Sequence, residues 1–195
     1  MAMTSVCVFA GSSAGARPEY RLAAIELGRV LAARGIGLVY GGARVGLMGA
    51  VADAVLAGGG QVVGVIPRAL VEKEVAHTGL TDLRVVTSMH ERKALMADSA
   101  DGFMALPGGW GTLEELFEIL TWAQLGIHHK PCGLLNVNGY YDGLLSFLEH
   151  SITEGFVRRE YRAMISVSDS SATLLDLLHD SVPPVVAKWI DVTST

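Results

Sequence analysis

Cysteine is scarce in this chain. Cys7 and Cys132 are the only two in 195 residues, and both fall in strand-like apolar runs. A free thiol there packs as a small hydrophobe, and two such residues make no disulfide framework. Positive charge is also short, with 15 Lys and Arg against 20 Asp and Glu and a formal net charge of −5. That balance argues against a nucleic-acid partner, which requires a basic face, and leaves room for a small anionic ligand. No unbroken apolar run is long enough to span a membrane, because the most apolar stretch, about residues 50 to 67, is interrupted by Asp53, Gln61 and Gly58-Gly59-Gly60. A signal peptide is not expected either, since the first 15 residues read as a strand and a glycine turn without a basic start. A cytoplasmic location is the expectation. The six histidines show neither two-histidine helical spacing nor cysteine pairing, so no metal site is expected.

What the chain has in quantity is apolar residues, half of the total, and 23 glycines. Short Val, Leu and Gly-rich runs alternate with amphipathic segments, the pattern of an α/β protein. Strands are expected at 5–10, 37–40, 61–66, 83–87, 102–106, 132–137 and 164–167. Helices are expected at 18–34, 46–57, 89–99, 112–126, 141–154 and 170–180. The predicted architecture is a Rossmann-like, doubly wound, mostly parallel sheet of about seven strands flanked by helices. It forms a single domain over 1–182, followed by a C-terminal tail at 183–195 that begins at Pro183-Pro184. In such sheets ligands bind beyond the carboxyl ends of the strands, where the glycine-rich turns after the first, second and fifth strands meet.

The run Pro107-Gly108-Gly109-Trp110-Gly111-Thr112-Leu113-Glu114-Glu115 follows one of those strands directly. Its glycines let backbone amides approach an anion, and the helix after it offers unpaired N–H groups and a positive dipole end. It reads as a phosphate site beside a carboxylate, Glu115. Thr112 through Glu115 also fits a capping box, with Thr112 as cap and Glu115 reaching back to it. The extra glycines around the cap tip the balance toward a ligand site. In the following helix Leu113, Leu116, Phe117 and Leu120 form the stripe expected to face the sheet. A second box, Ser88 to Glu91, opens a helix continuing with Arg92 and Lys93. Two cations in a first turn oppose the helix dipole and call for a nearby anion, either a ligand phosphate or Glu115. Gly41-Gly42, with Gly46-Leu47-Met48-Gly49, is a further glycine turn that matches neither the dinucleotide fingerprint nor the P-loop. Gly11, Ser12 and Gly42 are further candidates for donating amides to an anion.

Together, Gly41-Gly42 with Gly46-Leu47-Met48-Gly49, then Met89-His90-Glu91-Arg92-Lys93, then Pro107 through Glu115 closely resemble the LONELY GUY (LOG) family of cytokinin-activating phosphoribohydrolases, over about residues 5 to 180. Ala43, in place of a third glycine, and Trp110, at the variable position of the main motif, depart from or individualise the family pattern without touching its chemistry. The resemblance implies hydrolysis of the N-glycosidic bond of an adenosine 5'-monophosphate derivative, with no cofactor. It implies Arg92 and Glu115 as the catalytic pair. The phosphate loop and helix start at Gly108, Gly109, Trp110, Gly111, Thr112, Leu113 and Glu114 would hold the substrate, with Met89, Lys93, Glu74 and Thr121 as further contacts. A homodimer is expected, from the resemblance and from the nearly all-apolar segment 46–57. Two rival readings stay open on sequence: a general AMP or nucleotide nucleosidase, and a non-catalytic nucleotide or molybdenum cofactor carrier. Related sequences have carried the label lysine decarboxylase, yet none of Lys73, Lys93, Lys130 and Lys188 stands in a pyridoxal-binding motif.

Overall fold

The structure, a computed structural model, describes residues 3–71, 73 and 76–181; the tail expected at 183–195 lies outside them. Seven strands form one sheet: β1 (Ser5–Phe9), β2 (Gly37–Tyr40), β3 (Val62–Pro67), β4 (Asp82–Val86), β5 (Gly102–Ala105), β6 (Cys132–Leu135) and β7 (Ile165–Ser168). Their spatial order is β4-β3-β2-β1-β5-β6-β7, and every pairing is parallel. Five α-helices lie between strands, α1 (Pro18–Ala33), α2 (Gly46–Ala57), α3 (Met89–Asp98), α4 (Trp110–Gln124) and α5 (Asp142–Thr153), and α6 (Ser171–Asp180) follows β7 among the described residues.

Side chains alternate across each strand, so one sequence feeds two cores. Val6 and Val8 pack with Leu27 and Leu31 of α1, Val51 of α2 and Leu174 of α6 on one face. Cys7 and Phe9 pack with Met96 of α3, Leu116 and Ile119 of α4 and Tyr141 on the other. Chain progress reverses direction in the sheet between β1 and β5. Strands built outward to β4 on one side and to β7 on the other leave a crevice at the carboxyl ends of that pair.

Three expectations change. Helix α2 is covered within the chain rather than awaiting a partner subunit: it packs against α1 so closely that a methyl group at Gly28 would stand 2.6 Å from Ala54 Cβ. The buried stripe of α4 is Thr112, Leu116, Ile119 and Ala123. Phe117, expected on the sheet side, is exposed, because the packed face follows the 112/116/119/123 spacing and position 117 falls to one side of it. Strand β6 stops at Leu135, because the chain then enters a 3₁₀ turn at Val137–Gly139 in which Asn138 takes φ 52°.

Candidate active site

The turn from β5 into α4 decides the site. Gly109 takes an extended conformation (φ −90°, ψ −150°) as the helix N-cap, no side chain caps the helix, and Trp110 is its first residue. Thr112 therefore already lies inside the first turn and cannot be the cap, so the capping-box reading of Thr112 and Glu115 is overturned. The amides of Trp110, Gly111 and Thr112 have no intrahelical acceptor, and none finds another partner among the described residues. Helix α2 starts differently. Its Leu47 and Met48 amides donate to the Gly11 carbonyl at 2.9 and 3.4 Å. Gly46 permits this approach, at φ 61°, because a methyl group there would stand 2.3 Å from the Ser12 carbonyl carbon. Of the two glycine-rich helix starts, α4 is the one whose dipole end and amides remain open to an anion.

Opposite that turn, Ser88 caps α3 by accepting the Glu91 amide at 3.1 Å. Glu91 reaches back one residue past the cap and accepts from the Thr87 amide (2.7 Å) and hydroxyl (2.6 Å), which lower its pKa. The capping role expected for this pair thus holds in a slightly longer form. Arg92 turns inward and is only 5% exposed. Its Nη2 donates to the Gly41 carbonyl at 3.3 Å and lies 3.9 Å from Glu115 Oε1, while Nη1 meets Met89 Sδ at 3.8 Å. Nε of Arg92 is buried with no hydrogen-bond partner among the described residues. The Arg92 and Glu115 side chains are 7% and 13% exposed, so this pair is screened far less than a surface one. At an effective dielectric near 20 its gross attraction is about 4 kcal/mol, part of which desolvation offsets.

Lys93 points elsewhere. Its Nζ pairs with Glu114 Oε1 at 2.6 Å and Glu118 Oε1 at 2.9 Å. Desolvation lowers its pKa, but the hydrogen bonds it donates to these two carboxylates outweigh that and the net shift is upward. An amine held protonated in this way is the opposite of a Schiff-base lysine. Cys7, beneath the Arg92 and Glu115 pair, is held well above the usual thiol range, first by burial and then by the Glu115 charge. Burial alone pushes Cys132 up to about 12. Both thiols are inert packing groups.

These parts enclose a cleft of about 350 Å³ at the carboxyl ends of β1, β2 and β5, in the size range of small-ligand sites. Of the expected residues, Gly11, Ser12, Met89, Arg92, Gly109, Trp110, Gly111, Thr112, Glu114 and Glu115 line it. Gly108 and Leu113 sit behind the lining, with the Leu113 amide donating to Gly109 at 3.1 Å. Gly42 is turned toward Ile66 and Leu83, and its carbonyl accepts the His77 amide at 2.9 Å, so it serves the backbone rather than the cleft. Thr121 lies on the exposed side of α4 with its hydroxyl on the Phe117 carbonyl at 2.7 Å, away from this chain's own cleft. Glu74 falls outside the described residues. A hollow of about 570 Å³ between Ile152 and Glu160 is larger but carries none of the motif residues. Sequence reasoning missed Ala10 and Met48, which complete the lining, and the specific task of Gly41. The doubled glycine at 41 and 42 was the available signal.

The sequence model of a family described as "Possible lysine decarboxylase" matches residues 48–178. A rice (Oryza sativa subsp. japonica) protein named a probable cytokinin riboside 5'-monophosphate phosphoribohydrolase is 55% identical over 179 residues, covering 92% of this chain and 73% of its own. An Arabidopsis thaliana cytokinin riboside 5'-monophosphate phosphoribohydrolase is 52% identical over 178 residues, covering 91% and 84%. Among solved structures, the molybdenum cofactor binding protein of Rippkaea orientalis superposes with a TM-score of 0.66 over 91% of this chain and 96% of its own. At 22% identity that likeness shows the shared fold. The sequence relatives reach much further, and with them the chain belongs to the LONELY GUY family.

Proposed function

We propose that this protein hydrolyses the N-glycosidic bond of cytokinin riboside 5'-monophosphates, releasing the free base and ribose 5-phosphate, as the names of its relatives describe for them. The observation that carries the reading is the Arg92 and Glu115 pair, 3.9 Å apart, on the wall of the cleft into which the open amides of α4 point. A phosphate seated on those amides fixes one end of the substrate, so binding energy remote from the reacting carbon places the ribose over Glu115. Cleavage of the C–N bond builds positive charge on the sugar. A carboxylate beside the anomeric carbon stabilises that charge or takes a proton from the attacking water. Arg92, tied to Gly41 and Glu115, fixes where the carboxylate stands.

Incubation with isopentenyladenosine 5'-monophosphate, AMP and isopentenyladenosine in parallel tests the reading, with released base quantified by chromatography. The expected result is release from the prenylated monophosphate and a loss of about a hundredfold or more in Glu115→Gln. Release chiefly from AMP would make the chain a nucleotide-salvage hydrolase. Tight binding without release would return the carrier reading. The proposal includes a cytoplasmic homodimer: Trp110 at 91% exposure, together with Phe117 and Leu125, leaves an apolar side of α4 for a second copy to cover.

A further inference from the structure

The turn whose amides face the cleft is held from behind at three successive carbonyls. Leu106 O accepts the Tyr141 hydroxyl at 2.6 Å, Pro107 O accepts the Gly11 amide at 3.2 Å, and Gly108 O accepts the Tyr140 hydroxyl at 2.6 Å. A trans peptide is planar, with each carbonyl antiparallel to the N–H of the next residue, and no cis peptide occurs among the described residues. A donor that fixes a carbonyl therefore aims the amide at the other end of the same plane. The Gly11 amide aims Gly108 N–H, and the Tyr140 hydroxyl aims Gly109 N–H. The plane held by Tyr141 ends in Pro107, which has no N–H, so Tyr141 anchors the turn without aiming a donor.

Tyr140 is itself well fixed. Its ring makes edge-to-face contacts with Tyr20 (centroids 5.6 Å, 77°) and Tyr141 (5.0 Å, 84°). The backbone that delivers it is set by Asn138 and Gly139 at φ 52° and 69° and by the Tyr141 amide on Asn136 Oδ1 at 2.7 Å. It stands outside the cleft lining, so it acts through the loop and not on the ligand.

We propose that Tyr140 is a positioning residue for the substrate phosphate: its hydroxyl locks the Gly108–Gly109 peptide plane so that the Gly109 amide points at the anion. The proposal rests on the reading that the cleft takes a nucleoside 5'-monophosphate. Tyr140→Phe removes the hydroxyl and keeps both ring contacts. In it, KM for the monophosphate and the calorimetric Kd for ribose 5-phosphate should each rise about fivefold to tenfold, the scale of one lost hydrogen bond. Expected alongside are a kcat within about twofold of the parent and an unchanged Kd for adenosine, which has no phosphate. Tyr141→Phe should lower the melting temperature and leave the preference for phosphate intact. An unaltered ribose 5-phosphate affinity in Tyr140→Phe would overturn the proposal, as would equal weakening of ribose 5-phosphate and adenosine. Failure of the parent enzyme to release base would instead reject the proposed reaction, while the ribose 5-phosphate measurement would still decide the role of Tyr140.

Discussion

Gly41→Ala is the sharpest probe of how the site is assembled. Residue 41 follows β2 and its φ is not positive, so alanine meets no backbone penalty there. The methyl group would, however, stand 2.1 Å from Arg92 Nη2 and 3.2 Å from its Cζ. Ordinary contact requires more than an ångström of additional separation, and Arg92 is buried, so the guanidinium cannot yield without leaving the Gly41 carbonyl or Glu115. A displacement of about 1 Å in a positioned group costs roughly a hundredfold in rate. Base release from isopentenyladenosine 5'-monophosphate should therefore fall by about that factor, with a smaller change in KM than in kcat. Stability should drop by about 1–3 kcal/mol, the range for overpacking a filled site. The control is a double-mutant cycle: in an Arg92→Ala background the same substitution should be nearly silent, because the group it strikes is gone. Turnover within a few-fold of the parent in Gly41→Ala, or an equal loss in both backgrounds, would refute the claim that Gly41 acts by giving Arg92 its place.

Two further expectations concern pH and assembly. His128 Nδ1 accepts the Lys130 amide at 3.1 Å and its Nε2 lies 2.9 Å from the Ile119 carbonyl, so the ring is neutral with the proton on Nε2. Burial lowers its pKa and outweighs the opposing bond to Ile119. The unfolded chain therefore binds the extra proton first, and this contribution to stability is complete above the unfolded histidine pKa, about 6.5, and is lost as pH falls through the lower folded value. Melting temperatures from pH 8 to 5 should show a decline in that window which His128→Gln lacks; parallel curves would reject the assignment. Asp101 is also depressed in pKa: burial raises it, but donors from Thr4 and Ser5 outweigh that, and its window lies lower, below about pH 4. Sedimentation velocity should return a dimer for the parent chain and a shift toward monomer for Phe117→Lys; a monomeric parent would remove the homodimer from the proposal.

Much of this protein was legible without coordinates because the signals were short-range. Alternating apolar runs separated by amphipathic segments specify parallel strands with crossover helices, since a strand buried on both faces and a helix buried on one write different periods into the chain. The glycine run at 108–111, ending beside Glu115, marked the ligand turn for the same local reason: glycine tolerates what a close-approaching anion requires. Which of two glycine-rich helix starts stays open was beyond local reading. It depends on the Gly11 carbonyl, brought by a neighbouring strand, taking the α2 amides and leaving those of α4. Nor could spacing tell that Arg92 would turn to Gly41, 51 residues away, while its neighbour Lys93 turned to Glu114 and Glu118. Tyr140, 32 residues beyond Gly108, carried no motif at all. Side-chain and turn preferences act over a few residues and are written in sequence. The partners of buried polar groups are chosen by which strands lie side by side, and only the tertiary structure decides that.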